Sequence, residues 1–190
     1  MPSDAFTLLG LPASAALDDA ELQSAWLQAA RAAHPDQEGG DTALAAELNQ
    51  ALETLKSPVT RLKHLLEHHS DTPWRAVPLD AEMMRLFEKL GPLLQQSTAL
   101  VRKKQAAASA LAKALLAREE MQAREALEDL GTEIEQAWTS LESTLPSYDA
   151  RLSTGDISAW PEIQATQAQL AYLEKWRTQL RAQLLSLHLA

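Results

Sequence analysis

Apolar residues recur along this chain at the spacing of an α-helix, and nowhere at the spacing of a strand. Leu22, Trp26, Ala29, Ala30 and Ala33 stand at i, i+4, i+7, i+8 and i+11, which places them on one side of a helix. Leu44, Leu48, Ala51 or Leu52, and Leu55 repeat the pattern. No run of alternating β-branched residues bounded by turns interrupts it. Backbone preference points the same way, because the chain is rich in Ala, Leu, Gln and Glu and has only 6 glycines among 190 residues. The expected fold class is all-α.

Caps and breakers divide this pattern into elements. Asp4 is placed to cap a short first helix through Phe6, Leu8 and Leu9 that ends at Gly10 and Pro12. A second helix begins near Asp18, which has capping-box spacing to Glu21, and stops before Pro35 because proline disfavours the α conformation in the residue before it. His34 to Gly40 reads as a loop, with Gly39-Gly40 as its breaker. A third helix is expected from Asp41 or Thr42 to Lys56. Ser57-Pro58 ends it and suits the start of a fourth, over roughly Val59 to His69. Ser70 to Pro78 is polar and carries Pro73 and Pro78 with Trp74 between them, the composition of a linker.

Beyond it the sequence predicts helices over roughly Asp80 to Gln96, extending towards Arg118, over Glu119 to Leu145, closed by Pro146, and over Pro161 to Leu189. Gly91-Pro92 is expected to kink or break the first of these, and Ser153 to Asp156 to form a loop. The expected organisation is a domain over 1–70, a linker over 71–79 and a three-helix bundle over 80–190.

Composition excludes several functions. Without cysteine the chain has no disulfide, no thiolate zinc site and no thiolates to hold an iron–sulfur cluster. A formal net charge of -9 argues against a nucleic-acid partner. Met1 to Asp4 carry no positive n-region. The alanine-rich stretch from Gln105 to Ala117 is too short and too charged, with Lys113 inside it, to span a bilayer. A cytoplasmic protein with no membrane partner is expected. There is no phosphate-binding glycine loop, nucleophile elbow or fixed carboxylate pair, so neither an enzyme nor a resident cofactor is expected.

His64 and His68 share a helix face at i and i+4, as zinc ligands do, but no distant third ligand stands out. They read as a solvated helix end that complements its dipole, with no metal. Arg102-Lys103-Lys104 reads as a solvated helix face, Trp26 and Trp176 as core, and Trp160 before Pro161 as a hydrophobic staple.

His34-Pro35-Asp36 is a weak signal alone, since proline breaks a helix and aspartate satisfies nearby amides in many turns. Its context is more specific, lying between two helices whose apolar faces can pack together. The opening Asp4-Ala5-Phe6-Thr7-Leu8-Leu9-Gly10-Leu11-Pro12 resembles that of J-domains, the HscB (Jac-type) branch in particular. Leu48 to Leu55 resembles that family's third helix, and Ser57-Pro58-Val59-Thr60-Arg61-Leu62-Lys63-His64-Leu65-Leu66 its fourth. Ala168 to Arg177 is similar to the last helix of HscB proteins, and the order of a J-domain followed by a helical bundle fits the same branch.

The resemblance implies a co-chaperone that docks on a DnaK/HscA-type chaperone and stimulates its ATPase through His34, Pro35 and Asp36, with Arg31 on the preceding helix. It also implies a scaffold-binding surface for an IscU-type iron–sulfur assembly protein. The family's scaffold-binding spacing falls on Met83, Met84, Phe87 and Glu88, and its aromatic position on Tyr172. On a helix Met83, Met84 and Phe87 lie on one side, so the same residues also fit the core stripe of a bundle helix, with Leu90. The second helix offers Arg31 as its basic residue beside Asp18, Asp19 and Glu21, Gln37 stands where a lysine or arginine is common, and Ala171 replaces a basic residue. Electrostatic steering should therefore be weak and the chaperone partner a dedicated one.

Overall fold

The computed structural model describes residues 4–33, 42–71, 73 and 75–190. The His34-Pro35-Asp36 segment, Gly39-Gly40 and Trp74 lie outside the described residues. The described elements are all helices: α1 (Ala5–Leu9), α2 (Asp19–Ala32), α3 (Thr42–Lys56), α4 (Pro58–His69), α5 (Ala81–Ala106), α6 (Ala110–Glu142), α7 (Leu145–Ser153) and α8 (Ala159–Leu189). None is long and apolar enough to cross a membrane. By contacts the chain forms two units, one of residues 1–77 with 141–170, the other of 78–140 with 171–190.

In the first unit, local chemistry sets the helix ends. The Asp4 carboxylate accepts from the Phe6 and Thr7 amides at 3.3 Å. Gly10 closes α1 in the left-handed region (φ 66°), where a glycine carries no Cβ penalty. The Leu11 amide then returns to the Phe6 carbonyl and the Gly10 amide to that of Thr7, at 2.9 and 3.1 Å, a Schellman closure. Asp18 caps α2 through the Ala20 and Glu21 amides, and Ser57 caps α4 ahead of Pro58.

Helices α1, α2 and α4 each pack on α3. Their core is Phe6, Leu9, Leu22, Leu48, Ala51, Leu55, Leu62 and Leu65. Two expected core positions lie further out: Leu44 is exposed, and Trp26 is half-buried with its Nε1 donating to Asn49 Oδ1 at 3.1 Å.

Arg61 is buried and reaches two carbonyls, from Nε to Ala15 at 2.9 Å and from Nη1 to Leu55 at 2.8 Å. Burial pushes the guanidinium below its ordinary value, against the opposing charges of Glu142, Asp19 and Asp149. Asp149 of α7 binds the segment after α1, accepting from the amides of Ala15 (2.6 Å) and Ala16 (2.8 Å) and from Ser14 Oγ (2.6 Å). Gln164 Nε2 donates to the Arg75 carbonyl and Gln167 Nε2 to that of Val59. These bonds are why 141–170 groups with the N-terminal unit, a long-range pairing that the sequence boundary at 71–79 does not contain.

The second unit is built from α5, the part of α6 up to Ser140 and the part of α8 from Ala171. Met83, Leu86, Leu90, Leu100, Leu127, Leu130, Ile134, Leu173, Trp176 and Leu180 are buried in it. Ion pairs join the helices at their edges: Lys89 to Glu133 (2.8 Å), Lys104 to Glu120 (2.8 Å), Lys103 to Glu119 (3.1 Å) and Arg177 to Glu135 (3.0 Å). Arg177 also lies over the Trp138 ring, 4.7 Å from its centroid.

Three expectations about breaks need correction. Gly91-Pro92 does not end α5, because both residues are exposed and water can serve the carbonyl that proline leaves without its helical donor. The break falls instead at 107–109, inside the alanine-rich stretch, where Ser109 Oγ takes the Ala112 amide at 3.1 Å. Pro146 does not close a helix but stands in the first turn of α7, where its missing N–H costs nothing.

Candidate functional site: an exposed aromatic face on the second unit

The Asp80 carboxylate starts α5 by accepting from the Met83 amide at 2.8 Å. From there the helical period separates the candidate residues. Met83, Leu86 and Leu90 recur at i, i+3 and i+7 and are buried, whereas Met84 is 41% exposed, Phe87 52% exposed, and Glu88 exposed. Met83 therefore belongs to the core, and Met84, Phe87 and Glu88 to the surface. Phe87 stands at the border of the core stripe, which explains its half-and-half exposure.

Tyr172 of α8 is exposed too. Between the two rings lies Trp176, itself 3% exposed. The Phe87 and Trp176 centroids are 6.1 Å apart, and those of Tyr172 and Trp176 are 6.0 Å apart, tilted at 34° and 39°. These are favourable distances for aromatic pairs, so a buried indole holds two outward-facing rings in place. The fold thus brings Phe87 and Tyr172 onto one platform, 85 residues apart in sequence. Trp176 is core, as its sequence context predicts, and its support of Phe87 has no counterpart in the sequence pattern; the i, i+4 spacing of Tyr172 and Trp176 is the signal that points to half of the platform.

Charges flank this face. Arg85 and Lys89 of α5 both reach Glu133, and their hydrogen bonds, Lys89's first, hold its carboxyl below the ordinary range. A groove of about 400 Å³ elsewhere in the unit, lined by Leu93, Ser97, Leu100, Lys103, Glu119 and Ala126, contains none of the candidate residues. In the first unit Arg31 is exposed on the last turn of α2, next to the segment outside the described residues, and Ala33 is buried.

The chain is similar to known proteins. A co-chaperone protein HscB homolog from Chromobacterium violaceum is 39% identical over 72 residues, 34% of this chain and 41% of the relative. The co-chaperone protein HscB of Proteus mirabilis is 35% identical over 71 residues, again 41% of that protein. The aligned stretch thus spans less than half the length of these relatives. Chaperone HscB from Vibrio cholerae superposes with a TM-score of 0.60 over 95% of this chain and 96% of its own, at 22% identity.

The chain has the fold of HscB proteins, and one third of it is similar in sequence to HscB co-chaperones. Human co-chaperone HscB shares the fold as well, with a TM-score of 0.61 over 95% of this chain and 81% of its own at 17% identity. No known family profile matches the chain. At such identities the structural likeness speaks to the HscB fold, and the sequence likeness to one third of the chain.

Proposed function

We propose that this HscB-type chain is a co-chaperone that activates a DnaK/HscA-type ATPase and delivers an IscU-type iron–sulfur scaffold to it. The observation that carries this reading is the likeness to HscB co-chaperones, together with an α2–α3 pair whose connecting residues include His34-Pro35-Asp36. In this reading Pro35 limits the entropy lost on docking. Asp36 offers its carboxylate to a guanidinium of the ATPase, and His34 and Arg31 complete the contact. The chain performs no chemistry itself. It accelerates hydrolysis by binding one conformational state of the chaperone better than the other. The scaffold sits on Met84, Phe87, Glu88 and Tyr172, backed by Met83 and Trp176, and the protein acts in the cytoplasm.

A second reading is an HscB-like adaptor that binds partners without stimulating hydrolysis. The charge of α2 favours it, since Arg31 is its basic residue while Asp19 and Glu21 occupy its first turn. Steady-state hydrolysis by the DnaK-type chaperones of the same cell, with this protein and with its His34→Gln variant, separates the two. Stimulation by the native chain that the variant lacks supports the first reading. Binding without stimulation by either supports the second.

A further inference from the structure

Three imidazoles and a carboxylate converge where α1 begins and α4 ends. His64 is buried, His68 half-buried, and His69 follows on the same last turn. Asp4 Oδ1 lies 3.0 Å from His64 Nε2 and 3.4 Å from His69 Nε2. The His64 and His68 rings stand 4.1 Å apart at 32°. One ligand atom from each of Asp4, His64 and His68 can be chosen so that all lie within 4.8 Å of one another. The sequence offered His64 and His68 as an i, i+4 pair lacking a distant third ligand, and the fold supplies it from 60 residues away. The expected solvated helix end does not hold for His64, which packs against Phe6 with ring centroids 5.9 Å apart.

The hydrogen bonding at His64 is over-subscribed. The Ala5 amide donates to Nε2 at 2.9 Å, while Asp4 Oδ1 faces the same nitrogen at 3.0 Å. An imidazole nitrogen offers one in-plane position. If it accepts from Ala5, it has no proton for Asp4 and two acceptors confront each other; if it is protonated, the Ala5 amide loses its acceptor. A cation shared by the carboxylate and the imidazoles removes the conflict between acceptors, exchanging one neutral hydrogen bond for a metal–nitrogen bond. The Asp4 carboxylate, fixed by Thr7 Oγ1 at 2.6 Å and the Phe6 amide at 3.3 Å, supplies the oxygen ligand.

We infer that Asp4, His64 and His68 form a binding site for a divalent transition-metal ion, of which Zn²⁺ is the representative, clipping the start of α1 to the end of α4. Two imidazole nitrogens and a carboxylate oxygen suit this class of ion, and with Zn–ligand bonds of about 2.0–2.1 Å the ligand atoms would draw in to about 3.3 Å of one another. The half-buried His68 ring is the one free to make that adjustment. His69 stands beside the carboxylate as a candidate fourth ligand, water being the other.

The test is calorimetric titration of ZnCl₂ into the full chain after EDTA treatment and desalting, with Co²⁺ absorption as a geometric readout. The expected result is one ion per chain with a Kd below about 10 µM, a d–d band of tetrahedral Co²⁺, and a Tm raised by several degrees at a hundredfold excess over Kd. His68→Gln leaves the Asp4, Ala5 and His64 contacts in place and should weaken binding at least tenfold. Asp4→Asn should do the same, and His188→Gln, at an exposed position of α8, should not. Far-UV circular dichroism checks that each variant stays helical. Absence of saturable 1:1 binding overturns the inference, as does undiminished affinity in the folded His68→Gln and Asp4→Asn proteins.

Discussion

Truncating Phe87 to alanine distinguishes a docking face from a core stripe. Full burial of a phenylalanine is worth about 1.5–3 kcal/mol. Phe87 is 52% exposed, its inner half resting on Trp176. Roughly half of that value, about 1 kcal/mol, is therefore already realised in folding. The remainder, again about 1 kcal/mol, is available to a partner that covers the ring, which corresponds to a five- to tenfold change in Kd. Phe87→Ala should lower the unfolding free energy by about 1 kcal/mol in a urea titration and weaken binding of an IscU-type scaffold by about that factor or more in calorimetry. The contrast is Trp176→Ala, which empties a buried site and should cost about 3–5 kcal/mol. A Phe87→Ala protein destabilised as severely as Trp176→Ala, or one that binds the scaffold undiminished, refutes the reasoning.

Other consequences concern the fold. Asp149→Ala strands the fully buried Ala15 amide and its neighbour and should cost about 3 kcal/mol by urea unfolding; a loss below about 0.5 kcal/mol would show that 141–170 is held by other contacts. Leu55→Ala, at a position with no exposure among α1, α3 and α4, should cost about 2–5 kcal/mol in the same assay. The depressed Asp4 carboxyl gives a pH signature. Its contribution is present above the unfolded value of 3.8 and is lost as pH falls, because the unfolded chain takes up the proton first. In EDTA, the stability gap between the native chain and Asp4→Asn should be wide at pH 5 and narrower at pH 3, and a gap that widens on acidification would contradict the assignment.

The first four helices are legible in the sequence because their boundaries are written in side chains that act locally: Asp4, Gly10, Asp18 and Ser57-Pro58 each cap a neighbouring backbone. What was not legible depends on distant partners. Pro92 sits inside α5, and Pro146 opens α7 rather than closing α6, because proline's effect depends on which face of a helix meets water and on where the next helix starts. The alanine-rich stretch breaks although alanine favours helix, since Ser109 offers a cap where residues 108–111 are exposed. At the candidate site the sequence placed Met83, Met84 and Phe87 on one side of a helix. Only the neighbouring helices decide that Met83 turns inward and that Trp176 carries Phe87 and Tyr172. His64 shows the same limit, because its partner Asp4 lies 60 residues away in sequence.

The most direct test of the account is the ATP turnover of the cell's DnaK/HscA-type chaperone, measured with the native chain and with His34→Gln, each with and without an IscU-type scaffold. The account predicts stimulation by the native chain, a further rise when the scaffold is present, and neither effect with His34→Gln. Stimulation that survives His34→Gln, or its absence with the native chain for every such chaperone, would contradict it.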